Sequence, residues 1–121
     1  MLSKRFRLKN KKAFDATYNL HHVVSSDLLI LYVGKKKTEA DIDTKFAFVV
    51  SKKYHKRAVK RNRIKRLIRE SIRLILKNQE ITDINNYLSF IFIPKNNALD
   101  KSFKDIDNDA KKLLTKALNK F

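Results

Sequence analysis

The densest chemistry in the chain lies between residues 52 and 73, where eleven Lys and Arg side chains accompany one acid, Glu70. The centre of this stretch reads Lys60-Arg61-Asn62-Arg63-Ile64-Lys65-Arg66-Leu67-Ile68-Arg69-Glu70, preceded by Ser51-Lys52-Lys53. On a helix turning about 100° per residue, Ile64, Leu67, Ile68, Ser71 and Ile75 share one side. Asn62, Arg66, Arg69 and Arg73 fall on the opposite side, with Arg61 and Lys65 on one flank and Arg63 on the other. Such a helix buries one face and presents planar guanidinium groups on the other. Guanidinium holds phosphate bidentately and never loses its charge, which suits a permanent contact with a nucleic-acid backbone. Asn62 is a poor helix former, so its place there points to a hydrogen-bonding role. A lone basic run is often no more than a solvated helix face. This one is Arg-rich, almost free of acids and confined to one side, and it predicts nucleic-acid binding.

A second group is aromatic. Phe14 and Tyr18 lie one helical turn apart, and Tyr32 follows in an apolar run. Taken singly each is suited to a core, Phe14 most of all. Together, beside Ser51, Lys52 and Lys53, they predict a cleft in which unpaired bases stack, at ~1–3 kcal/mol per base. Other groups carry less. Asp105-x-Asp107-x-Asp109 begins like a calcium loop, but Ala110 and Lys116 stand where that loop needs Gly and Glu. On a helix those three carboxylates point in different directions. Asp41 and Asp43 lie in a charged stretch and read as solvated, and His21, His22 and His55 lack partners at ligand spacing, so no metal is expected on the protein. Neither a Ser–His–Asp set nor a paired carboxylate is present, so the protein alone is not expected to be a nuclease.

The rest of the chain must position these groups. Its 121 residues fit one domain, here 1–121 as a single RNA-binding domain with a basic N-terminal segment at 1–12 and a basic helix at about 57–77. The net charge is +17, and six of the basic residues lie in 4–12 while 80–121 is nearly balanced. A charge so large and so concentrated calls for a polyanionic partner. No cysteine is present, which excludes disulfide scaffolds, thiol nucleophiles and Cys-ligated metals. The longest apolar run, Leu28–Val33, is far too short to span a membrane. The N-terminus has no apolar stretch of the secretory kind, so a cytoplasmic protein is expected.

Short β-rich runs predict strands over Asp27–Val33, Lys45–Ser51 and Tyr87–Ile93. The spacing of apolar residues predicts helices over Lys11–Leu20, Ala58–Lys77 and Phe103–Asn119, the last capped by Ser102 with Asp105 in its first turn. The charged stretch Lys35–Thr44 reads as a hairpin loop. The order α-β-β-α-β-α predicts an α+β fold, a single α/β sandwich.

The stretch from Val50-Ser51-Lys52-Lys53 through Ala58-Val59-Lys60-Arg61-Asn62-Arg63-Ile64-Lys65-Arg66-Leu67-Ile68-Arg69-Glu70 resembles the signature of the bacterial ribonuclease P protein component. Arg7-Leu8, Phe14, Tyr18 and Tyr32 follow the same family's N-terminal order. Two places depart from the commonest pattern. Tyr54-His55-Lys56-Arg57 and Leu20-His21-His22 stand where many members have a Gly. The resemblance implies a fold similar to domains of ribosomal proteins and translation factors, with a left-handed β-α-β crossover. It also implies that an RNA subunit, ribonuclease P RNA, is the catalyst and holds Mg2+. The protein, monomeric when free, would bind that RNA through Lys52, Lys53, Arg61, Asn62, Arg63, Lys65, Arg66, Arg69 and Arg73. Phe14, Tyr18, Tyr32 and Ser51 would line a cleft for the 5′ leader of precursor tRNA. A structural RNA-binding protein of ribosomal type would share the basic helix but have no use for an aromatic cleft. A DNA-binding protein is disfavoured by the absence of helix-turn-helix spacing.

Overall fold

A computed structural model describes residues 4–39, 42–50 and 57–121. Helix α1 spans Lys11–Asn19, strands β1, β2 and β3 span Val23–Ser25, Leu29–Val33 and Lys45–Phe48, and helix α2 spans Ala58–Lys77. Strand β4 (Ser89–Pro94) and helix α3 (Phe103–Lys120) complete the described elements, with short 3-10 turns at Lys4–Phe6, Asp83–Asn86 and Asn96–Ala98. The fold is α+β, with one four-stranded sheet in the order β1-β2-β4-β3. β2 pairs antiparallel with both β1 and β4, while β3 runs parallel to β4. The β3–α2–β4 passage is therefore the strand–helix–strand crossover.

Two expectations need correcting. The apolar run starting at Asp27 is strand only from Leu29 to Val33. It is the second arm of a hairpin whose first arm, Val23–Ser25, is short enough to escape pattern reading. The stretch after β2 is not a hairpin loop either, because β4 lies between β2 and β3. Its first residues stay beside the segment leading into β4 instead: Leu88 N–H donates to Lys35 O at 2.8 Å, and Lys36 bridges Tyr87.

The pleat sorts side chains to two faces. Leu29, Leu31, Val33, Phe46, Phe90 and Phe92 point to one side, where Ile64, Ile68, Ile72 and Ile75 of α2 and Ile106, Ala110, Leu113, Leu114 and Ala117 of α3 cover them. All of these are buried. The other face carries Tyr32, Ala47, Val49, Ile91 and Ile93, and meets Leu8 and one side of α1. α1 docks through a buried hydroxyl pair, Thr17 Oγ1 to Ser89 Oγ at 2.6 Å. Gly34, the chain's one glycine, lies so close that a Cβ there would stand 2.1 Å from Ser89 Oγ.

The three aspartates of α3 do point three ways. Ser102 Oγ caps the helix by accepting from Asp105 N at 3.2 Å, with the Asp105 carboxylate beside it. Asp107 accepts from the buried Ser71 hydroxyl at 2.7 Å and from Lys111 at 2.9 Å, tying α3 to α2. Asp109 is buried and accepts from Ser26 Oγ and Leu28 N, holding the β1–β2 turn.

α1 ends at Asn19 with Leu20 as its C-cap, and His21 follows with φ at 56°, the left-handed conformation that usually favours Gly. That region costs most L-residues ~1–2 kcal/mol, while Gly loses ~0.5–1 kcal/mol more chain entropy on folding. His21→Gly is therefore expected to raise stability by up to about 1 kcal/mol, read as a higher denaturant midpoint at constant m. A lower midpoint would show that the imidazole makes contacts the fold needs.

Candidate nucleic-acid interface

α2 begins at Ala58 and runs to Lys77, with Ile64, Ile68, Ser71, Ile72 and Ile75 buried against the sheet and α3. The stripe that buries these residues turns Asn62 and Arg66 fully outward. Asn62, Lys65, Arg66, Arg69 and Glu70 line a shallow groove along the helix. Arg61 lies on the same flank as Lys65, partly exposed. This is the face expected from the helical spacing, and it offers several donors to a polyanion.

Three of the predicted cations do something else as well. Arg63 turns towards α3 and donates to two backbone carbonyls, Leu99 O at 3.1 Å and Lys101 O at 3.0 Å. It ties the segment leading into α3 to the basic helix. Arg73 is held by Glu70 through two bonds of 3.0 and 2.6 Å, an (i, i+3) pair. That pairing holds the Glu70 carboxyl below its ordinary range and raises Arg73. Arg69 does not stand clear of the sheet. Its guanidinium lies over the Phe48 ring, 5.7 Å from the centroid, and burial followed by the charge of Arg7 lowers its pKa. Ser51, Lys52 and Lys53 lie outside the described residues, as do Asp41 and His55.

The aromatic trio comes together on the other face. Phe14 and Tyr18 stack with centroids 6.4 Å apart, and Tyr18 meets Tyr32 edge-on at 4.8 Å. All three are half-buried rather than enclosed. Burial, then the neighbouring Tyr32, raises the pKa of the Tyr18 hydroxyl, so it is neutral at physiological pH. Val49 and Ile93 lie beside them, half-exposed, and extend the apolar floor. Sequence pattern did not single these two out, since each reads as an ordinary strand residue. The surface thus offers ring faces and edges over an apolar floor, which suits unpaired bases.

No group of three or more His, Cys, Asp or Glu side chains able to hold a metal ion occurs among the described residues. His22 stacks on Phe121 at 4.5 Å with the rings nearly parallel. No described helix is long and apolar enough to cross a membrane.

The family model described as Ribonuclease P matches residues 2–118. The ribonuclease P protein component of Clostridium kluyveri is 37% identical over 112 residues, covering 93% of this chain and 94% of the relative. That of Clostridium botulinum strain Loch Maree is 36% identical, covering 94% and 96%. Among solved structures, the RNase P protein of Staphylococcus aureus superposes with a TM-score of 0.71 at 28% identity, covering 93% of this chain and 94% of that one. The RNase P protein of Thermotoga maritima gives 0.71 at 18% identity, covering 91% and 96%, a likeness of fold.

Proposed function

This chain belongs to the ribonuclease P protein family, and from that premise we propose that it binds ribonuclease P RNA along the outer face of α2 and the 5′ leader of precursor tRNA across the Phe14–Tyr18–Tyr32 face. The RNA subunit performs the hydrolysis with its own Mg2+, and the protein, monomeric when free and inactive alone, assists leader removal in the cytoplasm. Lys65, Arg66 and Asn62 contact the RNA directly, with Arg61 on their flank and Lys52 and Lys53 preceding them in the chain. Ser51 joins the leader cleft. Arg63 and Arg73 act through the fold: one fixes α2 to the approach to α3, the other is engaged by Glu70.

One observation carries the reading. The guanidinium-bearing face and the aromatic face are served by opposite sides of a single sheet. Two RNA segments of different character, one structured and one unpaired, therefore reach the protein without competing for the same surface. Reconstitution with the catalytic RNA at low Mg2+, following leader removal from precursor tRNA, tests the whole; no acceleration by the protein would overturn it.

The helix face has its own test. Each phosphate contact contributes roughly 0.7–0.9 to the slope of log affinity against log salt. Arg66→Ala is expected to weaken binding to the RNA subunit and to flatten that slope by about one such increment, with the melting temperature unchanged. Arg63→Ala should behave in the opposite way. It loses charge-assisted bonds to two carbonyls, worth about 1.5–3 kcal/mol where charged groups are involved, so the melting temperature falls while the slope holds. Salt titrations of both variants decide. An unaltered slope in Arg66→Ala removes this face from the interface.

A further inference from the structure

β3 is the outer strand of the sheet, and its open edge is occupied by the segment before α1. Arg7 bridges Phe46 in parallel, and Leu8 N–H donates to Phe46 O at 2.7 Å. Phe6 packs towards the α2–α3 side while Leu8 packs towards the α1 side, so the segment wraps the sheet edge. Two residues further along β3, Phe48 carries the Arg69 guanidinium over its ring. Arg7 is near enough for its charge to act on Arg69.

The Nε–H groups of Arg7 and Arg69 are both shielded from solvent and lack a hydrogen-bond partner among the described residues. Neither guanidinium forms an ion pair with a described carboxylate, although Arg5, Lys60, Arg73 and Lys111 all do. A buried donor without an acceptor is costly, and two like charges side by side add repulsion. A single anion accepting from the Nη groups of both guanidinium forks offsets that repulsion. Two forks call for an acceptor with several oxygens, and phosphate supplies them. The place is also telling, since Arg69 lines the groove that runs along α2 past Asn62 and Arg66.

We infer that Arg7 and Arg69 together hold one backbone phosphate of the RNA bound along α2, with the Phe48 ring fixing the plane of the Arg69 guanidinium. This rests on the reading of α2 as the RNA face. It adds the N-terminal segment to that face, as one jaw of a two-arginine clamp.

A shared phosphate has a signature that two separate contacts lack. Inorganic phosphate is titrated into the free protein and the melting temperature followed, for the parent, Arg7→Gln, Arg69→Gln, the double variant, and Lys112→Gln as an exposed single-charge control on α3. Anion binding to the folded state raises the melting temperature saturably. The parent and Lys112→Gln should show that rise. Either arginine variant should lose it, and the double variant should lose no more than either alone. Without phosphate and at low salt, the arginine variants should melt no lower than the parent, because each relieves a repulsion. Retention of the parent's response in either single variant, or losses that add, would overturn the shared site.

The RNA arm then identifies the source. The slope of log affinity for the RNA subunit against log salt should fall by the same increment, roughly 0.7–0.9, in each single variant and in the double. If Arg66→Ala lowers the slope and these variants do not, the clamp does not hold RNA and the inference fails alone. If none of them lowers it, the reading of α2 fails as well.

Discussion

Tyr18→Ala and Tyr32→Ala each lower the affinity of the reconstituted enzyme for precursor tRNA by roughly 1–3 kcal/mol, a factor of roughly 5 to 150. The two rings touch edge-on at 4.8 Å, so each single change also disturbs its neighbour's ring, and the double variant should lose less than the sum. Affinity for the RNA subunit should stay near that of the parent, because α2 packs on the opposite face of the sheet. Mature tRNA has no leader and should bind variant and parent enzymes alike. That comparison separates a lost stack from a damaged fold, which would lower every affinity together. Parallel losses for precursor and mature tRNA, or no loss for either, would show the trio to be a flank of the core and nothing more.

Ile68→Ala has the largest expected effect on stability. Ile68 is fully buried on the inner face of the basic helix, and its truncation leaves a cavity that costs ~2–5 kcal/mol. Against a typical total of ~5–15 kcal/mol, that is enough to populate the unfolded chain under mild heating. The variant should nevertheless keep the parent's salt slope, since no phosphate contact is removed. Saturating RNA should restore much of the lost stability, about 2.7 kcal/mol at a hundred times the dissociation constant. Thermal melts with and without the RNA subunit give both quantities. A changed slope would mean that Ile68 sets the disposition of Asn62 and Arg66 more tightly than packing alone requires.

The helices were legible because their periodicity is strong. Ala58–Lys77 is bounded as the apolar stripe predicts, and Ser102 caps α3 as expected. β1 was not legible, since three residues, Val23-Val24-Ser25, are too few to show alternation. The sheet order was not legible either. Neighbours in sequence tend to be neighbours in space, yet β4 enters between β2 and β3, and nothing local in Lys35–Thr44 announces a strand arriving from fifty residues away. For the candidate interface, helical phase places Asn62 and Arg66 outward correctly. It says nothing of what lies within reach of a flank, so the two carbonyls that engage Arg63 were invisible. The Glu70–Arg73 spacing, by contrast, was available as an (i, i+3) ion pair. Phe14, Tyr18 and Tyr32 were found by residue type, and their meeting depends on α1 docking across β2 and β4, where Thr17 bonds Ser89.

The sheet order has a consequence for how the protein comes into being. Strand β4 lies inside the sheet yet is the last strand in the chain, and α3 follows it. A ribosome delivers α2 with its four isoleucines before either of the elements that finish covering them has been made. At about 5–20 residues per second, the stretch from the end of α2 to the end of α3 takes roughly 2–9 seconds to synthesise. During that interval the nascent chain exposes an apolar stripe beneath a band of arginines while surrounded by RNA. Closure requires β4 to slot between two strands already present, a non-local step that no hairpin can nucleate. Aggregation in the cell is therefore governed by the length of this window, and a translational pause placed after residue 77 should lower the yield of folded protein more than one placed after residue 120.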